Sequence, residues 1–320
     1  RESHFRVLVL QFIQMIGFKV LVTAGLLLIG GLLVLEQQMN IGQFVAAEII
    51  ILLVISSVEK LILGLETFYD LLTSLEKMGQ VVDKELEPQD GETPFKENEG
   101  LTVELEDIVY KVPGLDKKII DHLSLTIKPE TKLLIQGKSG SGRSTLLRMI
   151  AGILEPDEGK IYVNNVALKG IKLSQYRSYL GHSLTEEYPF EGTLLDNITF
   201  GNKDISMEDV YWALEKVSLS EFVKEQPQGL KTILYPEGKK FPDFISRKIV
   251  LARSIVTRPK LMVLKDPLEQ YDEEGTEKMM DFLTDPANGW ALVVVSENPK
   301  WAKRCNQVIR MEKGRLINVN

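Results

Sequence analysis

The sequence is short of cysteine, of histidine and of net positive charge. Its one cysteine, Cys305, excludes an internal disulfide framework and suits a reducing compartment. Its three histidines, His4, His122 and His182, stand at no metal-ligand spacing and read as solvated or structural residues. The 38 Lys and Arg are outnumbered by 45 Asp and Glu, for a net charge of −7, and no basic stripe is present. That balance argues against a nucleic-acid partner. Charge is scarcest near the start: Val20 to Leu35 has none, and Glu36 to Gly42 has no Lys or Arg. The remainder is ordinary, with 44% hydrophobic and 26% charged residues among 320, which excludes collagen-like, low-complexity and wholly disordered chains. At about 150 residues per domain the length predicts two structural units.

The first unit is apolar. From Val7 to Leu35 only Gln11, Gln14, Lys19 and Thr23 break the run, and a bilayer-spanning helix needs about 20 mostly apolar residues. The second segment, Phe44 to Leu65, carries Glu48, Glu59 and Lys60, and ionisable groups at membrane depth face a bundle interior or a wet cavity. The pair predicts a transmembrane hairpin; the competing reading is a buried soluble hairpin. Arg1 and Arg6 precede it, Lys77 and Lys84 follow it, and the link is free of cations, so both ends are expected on the cytoplasmic side. A second apolar segment behind the first is not the pattern of a signal peptide. Two helices cannot enclose a transport path. With Arg1 rather than Met in first place, the chain is expected to be the C-terminal part of a longer protein.

Glu85 to Gly100 is rich in Pro, Gly and acid and reads as a linker. The expected domains are therefore 1–80, a linker 81–100, and 101–320. Leu101, Val103 and Leu105 alternate as a strand does, and Ile119 to Ile127 predicts a partner strand. Lys132 to Gln136 is a short apolar strand, followed by Gly137-Lys-Ser-Gly-Ser-Gly-Arg-Ser-Thr145, and Leu146 to Ile153 has a helical pattern. Strand, glycine loop and helix are the context of a phosphate-binding P-loop. Gly137, Gly142 and Ser144 fit its spacing, with Ser139, Gly140 and Thr145 completing the candidate cradle. Glycines let backbone amides approach phosphate, and the helix N-terminus adds its positive end. One position departs: Arg143 stands where the motif has Lys. Charge is kept, but a planar fork replaces a compact point charge.

With these motifs in order the chain resembles the C-terminal part of an ATP-binding cassette (ABC) exporter. The last two transmembrane helices would be Val7–Leu35 and Phe44–Leu75, followed by the nucleotide-binding domain. Further landmarks carry the resemblance: Gly159-Lys-Ile-Tyr162, Phe190-Glu-Gly-Thr193 with Asp196-Asn197, Val250-Leu-Ala-Arg-Ser-Ile255, the strand Leu261–Leu264 with Pro267, and Gly314-Arg315. It implies an α/β P-loop cassette, a mixed sheet with a helical insertion near Asp204–Phe222 and an antiparallel sheet near Leu101–Ile127, preceded by the all-α transmembrane hairpin. It implies ATP as ligand, a second ABC subunit as homo- or heterodimer partner, an inner or plasma membrane address with the nucleotide-binding domain in the cytoplasm, and no nucleic acid. Gly42-Gln-Phe-Val45 and Val58-Glu-Lys60 resemble exporters that work with a periplasmic adaptor.

The departures from the family pattern are pronounced. The adenine-stacking aromatic is replaced by Val112 before Pro113, with Tyr110 nearby as a substitute. The glutamine that senses Mg²⁺ and water aligns with Thr185, and the switch histidine aligns with Glu297. The signature Leu-Ser-Gly-Gly-Gln aligns with Phe241-Pro-Asp-Phe-Ile245. The Walker B ending Asp-Glu-Pro is Lys265-Asp266-Pro267, so an ammonium stands at the metal carboxylate and Asp266 is a shortened substitute for the general base. A misplacement of order 1 Å costs roughly a hundredfold in rate. Ser144 remains as a Mg²⁺ ligand, one hydroxyl that does not by itself make a metal site, and Glu297 puts an anion where phosphate would be met. Asp272 matches the last Asp of the family's D-loop. Both the P-loop half and the signature half of the site are altered, so a partner subunit would supply only half of each composite site. The expectation is weak, Mg²⁺-independent nucleotide binding and little hydrolysis. The alternatives are a working ATP-driven exporter and a membrane-tethered scaffold that does not transport. Trp212, Trp290 and Trp301 read as packing residues.

Overall fold

The structure is a computed structural model that describes residues 2–84, 86–95, 99–112, 114, 117–184, 187–235, 241–269 and 271–318. It divides into two compact units, Arg1–Leu86 and Glu87–Asn320.

The first unit is a helical hairpin, α1 (Glu2–Leu35) and α2 (Ile41–Val82). The turn is fixed at α2 by a capping box: the Asn40 side chain accepts from the Gln43 amide at 2.8 Å, and the Gln43 side chain accepts from the Asn40 amide at 3.1 Å. Such a cap satisfies two helix-end donors that otherwise lack partners. Gly30 is buried because the Phe44 ring lies where its side chain would be; a Cβ there would meet the ring at 2.3 Å. Lys19 Nζ and Glu59 Oε1 pair at 2.7 Å across the hairpin. The rest of the apolar surface faces outward, with Leu21 72% and Leu28 69% exposed. Ile13–Leu35 and Ile41–Val82 are long and apolar enough to cross a membrane.

In the second unit the chain runs β1 (Val103–Lys111), β2 (Lys118–Ile127), β3 (Lys132–Gln136), α3 (Arg143–Ile150), β4 (Glu158–Val163), β5 (Val166–Ala167), α4 (Leu173–Ser178) and β6 (Leu180–Ser183). It continues through β7 (Gly192–Thr193), α5 (Leu194–Thr199), α6 (Met207–Lys216), α7 (Ser220–Glu225), β8 (Ile233–Leu234), α8 (Asp243–Ile255), β9 (Leu261–Lys265), α9 (Glu273–Thr284), β10 (Ala291–Val295), β11 (Gln307–Glu312) and β12 (Arg315–Asn318). One sheet is antiparallel, in the order β2-β1-β4-β5; the other is mixed, in the order β12-β11-β3-β10-β9-β6. Within the second, β11, β3, β10, β9 and β6 run parallel and only β12 is reversed.

The central strands are near-continuous apolar runs because both faces of this sheet are covered. Alternation decides which side each residue enters. Leu133, Ile135, Val263, Val293 and Val295 join a core with β1, β2 and α3. Leu134, Met262, Leu264, Leu292 and Val294 join a second core with α5, α6, α8 and α9. Each fully buried Leu, Ile or Val contributes about 1.5–3 kcal/mol. The helical region past Ser206 opens with α6, where the Ser206 hydroxyl accepts from the Asp209 amide at 3.1 Å. The acidic stretch before the cassette is partly docked. Glu92 bridges to Ile171, Glu87 pairs with Arg177 at 2.7 Å, and Phe95 packs on Tyr179 at 4.9 Å. Trp290 and Trp301 are fully buried, in keeping with packing roles, and Trp212 stacks under Arg258 at 3.7 Å.

Candidate nucleotide site

The loop 137–142 leaves the end of β3 and enters α3. Gly137 has φ +148°, and a Cβ there would meet the Met311 carbonyl oxygen at 2.3 Å. Gly142 has φ +99°, and a Cβ would meet the Ile119 carbonyl oxygen at 2.7 Å. Both positions require glycine on conformation and on space. Gly142 is also the N-cap of α3 and offers no side-chain cap, so the first amides of that helix are left for an outside acceptor. The loop is braced by the turn between β11 and β12, where the Gly314 amide donates to the Ser141 carbonyl at 3.1 Å.

These elements enclose a cavity of about 560 Å³, within the roughly 300–1,000 Å³ of small-molecule sites. Ser139, Gly140, Gly142, Arg143, Ser144 and Thr145 all line it, and Gly137 stands behind them. Four lining residues that the sequence did not single out are Ser141, Lys117, Lys118 and Lys313. Ser141 is buried, and its Oγ has no hydrogen-bond partner among the described residues. A signal for Lys313 existed: it immediately precedes the Gly314-Arg315 landmark, in the turn that braces the loop. Nothing in the local pattern marked Lys117 or Lys118, which are brought in by the pairing of β2 with β1.

The cavity is cationic. Lys117, Lys118, Arg143, Lys265 and Lys313 line it, and no carboxylate does among the described residues. Lys118 pairs with Asp121 at 2.9 Å, and Asp121 also pairs with Arg315 at 2.6 Å. Those two cations hold the Asp121 carboxyl down to about 2. Arg143 is held by Glu297, whose carboxylate takes one guanidinium nitrogen. The anion expected to confront phosphate has therefore found the P-loop arginine instead.

Lys265 lines the same cavity as Ser144. Asp266 lines a neighbouring one with Ser296, Glu297 and Trp301. Its φ is +42°, and its amide donates to the Val295 carbonyl at 2.9 Å. Burial pushes its pKa up; the nearby Glu269 adds to this, while the Ser296 hydrogen bond, Arg143 and Lys265 oppose it. No cluster of three or more His, Cys, Asp or Glu suited to a metal occurs among the described residues. The donor set described at this cavity does not fit Mg²⁺, because Lys265 lines it, no described carboxylate does, and Ser144 offers a neutral oxygen. It does fit phosphate: uncapped amides, an orphaned buried hydroxyl and five cations converge there.

The other expected positions are placed as follows. Val112 lines the cavity, whereas Tyr110 packs against the core and is absent from the lining. Thr185 and Pro113 lie outside the described residues. Phe241 meets Phe222 edge-on at 5.4 Å, Pro242 is the N-cap of α8, and Ile245 is buried, so this segment is an apolar helix start. Asp272 is the N-cap of α9, accepting from the Gly275 amide at 2.7 Å. His182 pairs with Glu187 and His122 with Asp107. Burial pushes the Cys305 thiol up to about 12.

A mixed sheet with a P-loop at the end of its inner strand β3, between an antiparallel sheet and a helical layer, has the architecture of a nucleotide-binding cassette. Residues 120–269 match the ABC transporter family. The second unit has the ABC cassette fold and is homologous to the nucleotide-binding domains of ABC exporters. The chain is 24% identical over 316 residues to the alpha-hemolysin translocation ATP-binding protein HlyB of Escherichia coli, covering 98% of this chain and 45% of that protein. It is 24% identical over 280 residues to the ATP-dependent lipid A-core flippase of Dechloromonas aromatica, covering 87% and 48%. A solved bacterial Atm1-family ABC exporter with ATP bound superposes with a TM-score of 0.67 at 20% identity, over 77% of this chain and 43% of that one, and shares the fold. The chain spans less than half the length of these relatives.

Proposed function

We propose that the chain is the C-terminal part of an ABC exporter subunit whose nucleotide-binding domain is degenerate and acts without appreciable hydrolysis, shaping or regulating a transport assembly. Residues 1–80 are the last two helices of its transmembrane domain, 81–100 a linker and 101–320 the cassette. The domain sits in the cytoplasm beneath an inner or plasma membrane and dimerises with a copy of itself or with another ABC subunit. The relatives that span both units are a toxin translocator and a lipid flippase by name, which supports membrane export and leaves the cargo open. A periplasmic adaptor is a further proposed partner, on the resemblance of Gly42-Gln-Phe-Val45 and Val58-Glu-Lys60 to exporters that work with one.

One observation carries the reading: Lys265 stands in the same cavity as Ser144 where a Mg²⁺-binding carboxylate is needed. An ammonium there repels a divalent cation. The arginine that replaces the P-loop lysine is already neutralised by Glu297. Hydrolysis of ATP by the purified chain in detergent, measured with and without Mg²⁺, is expected to stay at background. Lys265→Asp is expected to introduce Mg²⁺ dependence into nucleotide binding while leaving turnover poor, since Asp266 and Glu297 are unchanged. Steady Mg²⁺-dependent turnover by the unmodified chain would reject the proposal in favour of a working exporter.

A further inference from the structure

The segments that form the P-loop cavity are rich in groups for phosphate and poor in groups for a base. Of its five cations, Lys118 pairs with Asp121 and Arg143 with Glu297, whereas Lys117, Lys265 and Lys313 have no ion-pair partner among the described residues. The amides of α3 begin without a side-chain cap, and Ser141, 6% exposed, has a hydroxyl with no hydrogen-bond partner among the described residues. Against these donors stand two apolar lining side chains, Val112 and Ile119. The stretch from Val112 to Ile119, the loop from Gly137 to Thr145 and the pair Lys313-Gly314 contain no aromatic residue, no Asn and no Gln. The Val112 amide is itself occupied, donating to the Lys117 carbonyl at 3.0 Å. Tyr110, the aromatic residue nearest in sequence, packs against the core.

We infer that this cavity recognises a chain of linked phosphates and takes it without regard to the base, so that inorganic tripolyphosphate and the triphosphates of different nucleosides are equivalent ligands. This rests on the proposed reading of the cavity as a phosphate site without Mg²⁺. Phosphate oxygens need donors and positive charge, and charge-assisted contacts to them need no metal. Ammonium groups on flexible stems act as point charges and follow the chain where it lies. A base needs different groups: a ring to stack on and side-chain amides to read its edge. Stacking on one aromatic ring contributes about 5- to 150-fold in affinity. Here the wall offers Val112 and Ile119 instead, aliphatic contacts that every base makes alike. Binding is therefore carried by the phosphates, and the identity of the base does not enter.

Calorimetric titration of the full chain in detergent with ATP, GTP and inorganic tripolyphosphate, all in EDTA, tests this. ATP and GTP are expected to bind within about threefold of each other, and tripolyphosphate no more than about threefold more weakly than ATP. All three affinities are expected to fall together as salt rises, because one set of charge contacts holds them. Val112→Tyr places an aromatic ring at the cavity wall. It is expected to tighten ATP and GTP by about fivefold or more while leaving tripolyphosphate within about twofold. Lys265→Ala is expected to weaken all three alike. The inference is overturned if the unmodified chain binds ATP more than about threefold more tightly than tripolyphosphate, if it separates ATP from GTP by more than about threefold, or if it binds none of them. It is overturned as well if Val112→Tyr leaves the ratio of ATP to tripolyphosphate unaltered. Mg²⁺-dependent phosphate release from ATP by the unmodified chain, the result that rejects the non-hydrolysing reading, is a readout separate from these ratios in EDTA.

Discussion

Asp266 illustrates how burial reshapes one carboxylate at the end of a strand. It follows a buried strand, adopts a left-handed backbone and lies in a half-buried cavity next to Glu269. Its pKa is raised above 3.8, chiefly by burial. The folded state therefore holds this proton more tightly than the unfolded chain does. The corresponding stability is fully present below about pH 3.8 and is lost as pH rises through the folded-state value. Asp266→Asn removes the charge and tolerates the left-handed conformation. It is expected to raise the thermal midpoint at pH 7 by about 1–3 °C, with the gain fading below pH 4. Calorimetry or fluorescence melting across pH 3–8 checks this; a variant less stable than the parent at pH 7 would show that the ionised carboxylate is favourable where it stands.

Strand, loop and helix act as one device around the P-loop. β3 is set between β10 and β11, the loop passes close to Met311 at the end of β11, and α3 buries Leu146, Leu147, Met149 and Ile150. Gly137 is where strand and loop meet. Gly137→Ala would push a methyl against the Met311 carbonyl and force a positive φ on a residue with a Cβ. A destabilisation of about 1–3 kcal/mol is expected in urea titrations, together with loss of nucleotide binding. Unchanged stability would mean that the loop can relax away from β11. By contrast, the segment that aligns with the signature is closed by packing: Phe241 on Phe222 and Ile245 in the core leave an apolar helix start.

At the scale of the molecule the two units obey different solvents. The cassette buries its apolar residues in two cores, while the hairpin turns most of its described apolar side chains outward and pairs Lys19 with Glu59. In the proposed membrane hairpin an unpaired ion costs about 2.5–3.5 kcal/mol at the helix centre on insertion scales. Lys19→Met alone leaves Glu59 without its partner and is expected to reduce the membrane-integrated fraction, read by resistance to alkaline extraction. Lys19→Met with Glu59→Met removes both charges and is expected to restore or exceed the original fraction. A double variant worse than the single one would show that the charges serve something other than each other.

The strands, the glycine loop and the two long apolar helices were legible because each is set by local pattern: an apolar run, glycines at fixed spacing, or some 20 residues without charge. The reading of Arg143, Lys265, Asp266 and Glu297 as replacements rests on the register of short motifs and belongs to the proposal. The partners of those residues were not legible. Glu297 is 154 positions from Arg143, and only the parallel pairing of β3 with β10 sets the segments that carry them side by side. Pairing in a sheet likewise put Lys117 and Lys118 at the cavity, and packing turned Tyr110 into the core. The sequence determined which chemical groups this protein carries. The tertiary structure alone decided which of them meet, because ion pairs between distant segments depend on strand order and register, which no local pattern encodes.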